Sequence, residues 1–131
     1  MNAIHASGRR KRAVARATLL SGNGVVRINS HLLQWYEPEL YRHKLEEPFL
    51  LAGELAKKVD VSVRVHGGGA ASQADAARLA IARCLSTVDT SLQQTFLKYD
   101  RTLLVADVRR KETHKPNCHG KARAMRQKSY R

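Results

Sequence analysis

The side chains of this sequence best suited to a chemical role are the lysines and arginines near its two ends. The 131-residue chain has 24 Lys and Arg against 11 Asp and Glu, a net charge of +13. Residues 1–36 contain six basic and no acidic residues, residues 37–108 nine basic and ten acidic, and residues 109–131 nine basic and one acidic. A near-neutral middle between cationic ends is typical of nucleic-acid binders, because each neutralised phosphate releases counterions. A basic surface kept for solubility is the weaker alternative.

The last twelve residues, 120–131, carry this chemistry most densely. Basic residues recur every two or three positions, and Tyr130 is an aromatic side chain able to stack on a base or sugar. Arg pairs bidentately with phosphates, and Lys supplies a point charge. Because residues 109–131 have too little apolar surface to fold alone, we expect an extended tail that is disordered until it binds. A solubility tail is again the alternative.

A glycine-rich segment, Gly67-Gly68-Gly69, separates a predicted strand from a predicted helix. Such a loop can present backbone N–H groups to a phosphate at the helix N-terminus. Three interpretations stay open: a tight turn with close backbone packing, a site for an RNA phosphate, and, last, a nucleotide site. The Gly-Lys-Ser/Thr ending of a P-loop is absent.

Metal and catalytic sites have weak support in the sequence. His114, Cys118 and His119 lie in the basic tail and Cys84 lies elsewhere, whereas zinc ligands usually occur as closely spaced pairs. We expect no metal and no cofactor, and reduced thiols in place of a disulfide. No Ser/His/Asp or Cys/His set is indicated, so we expect neither an enzyme nor a small-molecule substrate. With no apolar run long enough for a membrane span and no secretory signal, the expected location is cytoplasmic.

The periodicity of apolar residues predicts an α+β fold. Alternation predicts a strand over residues 13–19, followed by an Asn23-Gly24 hairpin and a returning strand over residues 25–28. Residues 29–58 look helical in pieces, with Pro38 and Pro48 each suited to a first turn. The valines of residues 59–66 predict a strand with one buried face. The predicted order is β-β-α-α-β-α-α-tail, with helices on one sheet.

The last two predicted helices have their own signals. The first begins near Ser72, where Asp75 three residues on resembles a capping box. Its apolar face runs from Ala74 to Val88, and Arg78 and Arg83 fall off it. Ser91 caps a shorter helix, and residues 103–105 form a last strand or anchor. We therefore expect a flexible N-terminus at residues 1–8, a globular domain at 9–108 and a basic tail at 109–131.

Three segments taken together resemble the family of the ninth protein of the small ribosomal subunit. They are the basic opening at residues 8–17, the glycine loop with its helix at residues 67–83, and the ending Arg126-Gln127-Lys128-Ser129-Tyr130-Arg131. The likeness covers nearly the whole chain from Ser7 onward. The Gln-Lys-Ser-Tyr-Arg terminus is similar to the archaeal and eukaryotic branch. The stretch from Thr113 to His119 departs from the glycine- and lysine-rich family pattern.

This resemblance implies a fold, a location and partners. The family fold is a two-layer α/β sandwich with a left-handed βαβ crossover, shared with the second domain of ribosomal protein five, and a rare handedness. The family lies in the head of the small subunit, beside neighbouring head proteins and bound to small-subunit rRNA. Its tail threads through the rRNA, and its end touches the peptidyl-site tRNA.

The resemblance and the charge pattern together assign candidate residues to each partner. The rRNA candidates are Arg9, Arg10, Lys11, Arg12, Arg16, Gly67, Gly68, Gly69, Arg109, Arg110, Lys111, Lys115, Lys121 and Arg123. The tRNA candidates are Arg126, Lys128, Ser129, Tyr130 and Arg131. We therefore expect a structural ribosomal protein acting in translation.

Two alternatives from other classes stand beside this interpretation. One is a small-molecule kinase fragment, since one kinase superfamily shares the sandwich fold and a glycine-rich phosphate loop. The short chain, the missing kinase-type loop ending and the basic tail argue against it. The other is a free regulator that binds one short RNA or DNA and does not sediment with ribosomal subunits.

Overall fold

A computed structural model describes residues 3–125 and 128–130 of the chain. It is mixed α/β, with one sheet and three α-helices in the described part. The strands are β1 Ile4–Arg10, β2 Ala13–Ser21, β3 Val26–Ile28, β4 His31–Leu32 and β5 Val59–His66. The helices are α1 Glu39–Ala52, α2 Ala70–Val88 and α3 Ser91–Tyr99, with short 3₁₀ turns at Leu33–Trp35, Gly53–Lys58 and Arg101–Leu103.

The sheet has the strand order β1-β2-β5-β3-β4, which differs from the order along the chain. β2 is antiparallel to both β1 and β5, and β3 is antiparallel to β4. β3 and β5 are parallel neighbours, with α1 in the connection between them. The βαβ unit that the family resemblance implies is therefore present.

One face of the sheet is buried beneath the helices and the other is open. In β5, the four valines Val59, Val61, Val63 and Val65 are at most 8% exposed, while the residues between them face outward. In β2, Ala13, Ala15, Ala17 and Leu19 are buried in the same alternating way. This confirms the predicted strands and their buried faces. Each buried valine contributes about 1.5–3 kcal/mol by leaving water.

Small residues allow α2 to lie directly on β1 and β2. The alanines of β2 meet a helix face that includes Ala77, Ala80 and Ile81, all at most 1% exposed. Gly8 of β1 lies closest of all, since a Cβ there would be 2.1 Å from the Ala76 carbonyl oxygen. The sheet and the helices thus form two layers at close range, and packing at this density tolerates little added volume.

The predicted Asn23-Gly24 hairpin is wrong. β3 does not pair with β2, because β5 lies between them. The loop instead turns around the start of β5, where Asp60 Oδ1 accepts hydrogen bonds from the N–H groups of Asn23 and Val25, both at 2.8 Å. A local turn signal cannot detect this strand insertion, because β5 is more than thirty residues further along the chain.

The first eight residues are not a flexible terminus where the structure describes them. Strand β1 pairs with β2 from Ile4 opposite Leu19 to Arg10 opposite Ala13. These two strands therefore form a hairpin, with Lys11 and Arg12 at its tip. The sequence missed β1 because it lies at the sheet edge and lacks a β-branched alternation, so pairing rather than propensity forms it.

Two predicted helix starts are also corrected. Pro48 does not begin a second helix but lies buried within α1. The Ser72–Asp75 capping box does not form, because α2 already begins at Ala70 with Gly69 as its N-cap residue. Asp75 instead pairs with Lys44 of α1. Capping signals are local, whereas tertiary contacts available to the same groups decide these positions: Asp75 contacts Lys44, and Pro48 lies buried within α1.

The chain beyond the last helix has an anchor but no further regular element. Leu103 is fully buried, so the apolar run at residues 103–105 supplies an anchor and not a strand. No helix or strand follows Leu103 within residues 104–125 and 128–130. In the part of the chain that the structure describes, no helix has the length and apolar character to cross a membrane.

Substitution of Gly8 tests the close approach of β1 to α2. Gly8→Ala should lower the free energy of unfolding by about 1–3 kcal/mol or more, the usual cost of overpacking a core. Urea denaturation of the full chain measures this change. Gly120→Ala is the matched control, since no atom lies within 4 Å of a Cβ at that tail position. Equal stability of the two variants would show that α2 does not constrain β1.

Candidate nucleic-acid interface

The basic residues of the N-terminal hairpin project from the body into solvent. Arg9, Lys11, Arg12 and Arg16 are all exposed. Among the described residues, none of these four side chains lies within 4.0 Å of a carboxylate oxygen. Lys11 and Arg12 occupy the hairpin tip, and Arg9 and Arg16 lie on the open face of the sheet. The structure therefore places these four candidates at the tip and on the open face of the β1–β2 hairpin.

Arg10 belongs to the same sequence cluster but has a different environment. It lies on the helix side of β1, where its guanidinium pairs with Asp107 and lies 3.7 Å from an oxygen of Asp75. Lys44 of α1 pairs with the same Asp75 at 3.0 Å. Arg10 thus connects β1 to the helices and to the root of the tail.

Two arginines of α2 that lay off its apolar face hold neighbouring segments in place. Arg78 pairs with Glu47 of α1 and with Asp100, its Nη1 donating to Oδ2 of Asp100 at 2.9 Å. Arg83 Nη1 donates to the carbonyl oxygen of Ser7 at 2.8 Å, and its Nε donates to that of Leu104 at 3.1 Å. The sequence showed these arginines as off-stripe residues, but their partners are distant in the chain and gave no local signal.

The start of the tail is fixed at Asp107. The backbone N–H of Arg109 donates to Asp107 Oδ1 at 2.8 Å, and Arg109 Nη2 donates to Oδ2 at 2.7 Å. The hydrogen bonds from Arg109, with the charge of Arg10 nearby, lower the pKa of Asp107 from 3.8 to about 2. Arg109, a predicted rRNA candidate, is therefore occupied by an intramolecular ion pair.

The glycine loop is explained in part by packing. Gly67 and Gly68 have positive φ angles of 74° and 68°. A Cβ on Gly67 would be 2.6 Å from the Arg12 carbonyl oxygen, and one on Gly68 would be 3.0 Å from Ala13. These contacts favour the tight-turn interpretation for the first two glycines. Gly69 differs, because no atom lies within 4 Å of a Cβ there and it precedes the first turn of α2.

The basic residues of the tail are exposed, and two segments of the tail contact each other. Arg110, Lys111, Lys115 and Lys121 are exposed in the structure. Arg123 is also exposed but pairs with Glu112, at 2.7 Å between Nη2 and Oε1. The pairing lowers the pKa of the Glu112 carboxyl group, chiefly through the hydrogen bond from Arg123. In addition, the Lys115 N–H donates to the Lys121 carbonyl oxygen at 2.7 Å.

The tRNA candidates at the chain end are described only in part. Lys128, Ser129 and Tyr130 are exposed, and 88% of Tyr130 is accessible. Arg126 and Arg131 lie outside the described residues.

The two cysteines are free thiols, as expected. Cys84 is buried in the core, and burial raises the pKa of its thiol to about 11, so it is held as the neutral thiol. Cys118 is half-buried in the tail. Within residues 3–125 and 128–130, no group of three or more His, Cys, Asp or Glu side chains is placed to hold a metal ion.

A small α+β domain with unpaired basic side chains on a hairpin and an open sheet face has the charge distribution typical of nucleic-acid-binding proteins. Residues 8–131 match the family described as "Ribosomal protein S9/S16". Over 134 aligned positions, the chain is 49% identical to the small ribosomal subunit protein uS9 of Methanococcus vannielii and 48% identical to that of Methanococcus maripaludis. Each alignment covers 100% of both chains.

The chain therefore belongs to the ribosomal protein S9/S16 family, and within it to the archaeal type. The predicted membership is confirmed. It makes the chain a structural protein of the small ribosomal subunit with a role in translation, in a family that is not one of enzymes.

The ion pairs at Asp107 predict a pH dependence of stability. A carboxyl group whose pKa is lowered by folding stabilises the folded state above its ordinary pKa and loses that contribution as pH falls through the lowered value. Asp107→Asn should therefore be less stable than the unaltered chain at pH 6, and the difference should disappear as pH falls from about 4 to about 2. Thermal unfolding at several pH values measures this. A difference that stays constant down to pH 2 would contradict the ionic role.

Proposed function

We propose that this chain binds small-subunit rRNA in the head of the small subunit and stabilises folded RNA by neutralising its phosphates. The observation that carries the proposal is the unpaired state of the hairpin residues Arg9, Lys11, Arg12 and Arg16 in a member of this family. Phosphate oxygens accept hydrogen bonds from guanidinium and ammonium groups, and unpaired groups are free to donate them. No step in this role requires a catalytic group, a cofactor or a small-molecule substrate.

The remaining rRNA candidates contribute unequally to this proposal. Arg110, Lys111, Lys115 and Lys121 are exposed and available for phosphates. Binding through Arg10, Arg109 or Arg123 requires an RNA phosphate to compete with a carboxylate already in contact. Of the glycine loop, only Gly69 offers open space at the start of a helix.

We propose further that the end of the tail contacts peptidyl-site tRNA through Arg126, Lys128, Ser129, Tyr130 and Arg131. The support is the dense charge at residues 120–131 and the exposure of Lys128, Ser129 and Tyr130. The lack of helix or strand in the described residues after Leu103 suits a segment that becomes ordered on RNA. From Lys111, twenty extended residues reach up to ~66 Å.

Two structural expectations belong to the same proposal. The β3–α1–β5 crossover is left-handed, as in the family fold. The face of the domain that carries no free basic cluster lies against neighbouring head proteins. The support for both is the membership of the chain in this family.

Sedimentation tests the ribosomal role directly. In a sucrose gradient of cell lysate, the chain should be found with the small subunit at low salt and remain there at high salt. Retention at high salt is the more demanding result, because binding through phosphate contacts weakens as salt rises. A core protein of the same subunit serves as the reference. Detection only at the top of the gradient would contradict the proposal and favour the alternative of a free regulator.

Truncation tests the tail. Removal of residues 128–131 should leave incorporation into subunits intact and weaken peptidyl-site tRNA binding by about tenfold, the equivalent of roughly 1.4 kcal/mol. Filter binding of tRNA to purified subunits measures this. The double variant Lys57→Gln/Lys58→Gln, which removes two charges from the body, should not change tRNA affinity. Unchanged tRNA affinity after truncation would contradict the proposed contact between the end of the tail and peptidyl-site tRNA.

A further inference from the structure

The arginines of the body divide into two groups according to the layer from which they project. On the helix side, Arg10, Arg42 and Arg78 pair with carboxylates, and Arg83 donates to backbone carbonyl oxygens. On the open face of the sheet, Arg9, Arg16, Arg27 and Arg64 are exposed. In the described part of the chain, none of these four contacts a carboxylate within 4.0 Å. Four arginines of the helix layer are thus satisfied internally, with Arg101 the exposed exception in the described part of the chain, whereas all four on the open sheet face lack a carboxylate partner there.

The centre of this open face is a pair of arginines on neighbouring strands. Arg16 of β2 lies directly opposite Arg64 of β5 in the antiparallel register. Ser7 of β1 is the partner of Arg16 on its other side. Like charges directly opposite each other destabilise a sheet by roughly 0.2–1 kcal/mol. The Arg16–Arg64 pair therefore does not contribute to the stability of the free chain.

The surface around this pair is concave. Its depression has a volume of about 820 Å³ and is lined by Arg16 and Arg64 with hydroxyl and imidazole groups, among them Thr18, Ser62 and His66. His5 Nδ1 lies 3.1 Å from the Thr18 hydroxyl oxygen. Arg27 extends the charge to the far side, because it is the β3 partner of Ser62.

The acidic residue on this face of β5, Asp60, is held by the loop between β2 and β3. It accepts hydrogen bonds from the N–H groups of Asn23 and Val25, and these bonds lower the pKa of its carboxyl group. Arg27 is the arginine whose charge also helps to lower this pKa. The charge of Asp60 is therefore directed to the loop between β2 and β3, and three residues of β5 lie between it and Arg64. The open face thus combines guanidinium groups, which donate hydrogen bonds to anions, with the absence of a carboxylate beside Arg16 and Arg64 in the described part of the chain.

We infer that the RNA-binding surface extends from the hairpin across the open face of the sheet, where Arg16 and Arg64 together hold one backbone phosphate. Arg9 on β1 and Arg27 on β3 flank this phosphate and contact its neighbours along the RNA chain. The inference rests on the proposed function and adds Arg27 and Arg64, with His5 and His66, to the residues that the sequence indicated. An extended polyanion fits because the lining side chains are exposed along three strands and do not enclose a small ligand.

The variant Arg64→Glu separates a binding role from a structural one. It replaces a like-charge cross-strand pair with an opposite-charge pair, so the melting temperature of the free full chain should stay the same or rise. Its affinity for small-subunit rRNA should nevertheless fall by about ten- to a hundredfold. The slope of log affinity against log salt should decrease in magnitude by about one to two, as expected when one or two phosphate contacts are lost.

Lys98→Glu is the matched control, because it makes the same change in net charge at an exposed position on α3, in the other layer. It should change neither the rRNA affinity nor the salt slope to a comparable extent. Binding of purified full-length chain to protein-free small-subunit rRNA, measured over a range of salt concentrations, supplies both quantities.

The outcomes distinguish this inference from the proposed function. If the unaltered chain binds rRNA and Arg64→Glu binds it with the same affinity and salt slope, the sheet-face inference is overturned while the proposed function stands. An equal loss in Lys98→Glu would overturn it too, since net charge alone would explain the effect. If the unaltered chain neither binds rRNA nor sediments with the subunit, the proposed function itself fails.

Discussion

The close contact between α2 and the β1–β2 hairpin is the constraint on which the rest of the structure depends. Alanines on both sides and Gly8 at the nearest point let the helix backbone approach the strands. This contact orients β1, and with it the basic tip at Lys11 and Arg12. It also brings Arg10 of β1 next to Asp75 and Asp107, and the Ser7 carbonyl oxygen next to Arg83 of α2. Burial at this density leaves little freedom for alternative arrangements.

The distribution of charge follows from this layering. Carboxylates from α1, α2 and the segment after α3 lie on the helix side, where they neutralise Arg10 and Arg78. These partly buried pairs hold the tail root against the body, because removing one partner would leave a poorly solvated charge. The open sheet face receives almost no acidic residues. The chain can therefore present one strongly basic surface, because repulsion between like charges is confined to that surface and the helix side is neutralised.

The same division explains why the chain can be both well folded and ready for RNA. The core consists of valine, alanine and leucine side chains and does not depend on the peripheral charges. The unpaired arginines and the tail contribute little to folding, so their charge is available to a partner. Such an arrangement is common where function requires groups that stability alone would not select.

The sequence by itself determined the buried faces of β2 and β5, the core face of α2, the basic ends and the family. Each of these depends on local periodicity, composition or motif, which a single chain displays directly. The prediction failed where contacts are distant in sequence. Strand β5 inserts between β2 and β3, and β1 becomes a strand only by pairing with β2.

The tertiary structure alone decided which basic residues are free. Arg9 and Arg10 are neighbours in sequence and equal in charge, but alternation along β1 directs one to the open face and the other to Asp107. Likewise, Arg16 and Arg64 are 48 positions apart and become opposite neighbours only through the β2–β5 register. Charge is a property of residue type, whereas the availability of charge depends on which carboxylates folding brings within reach.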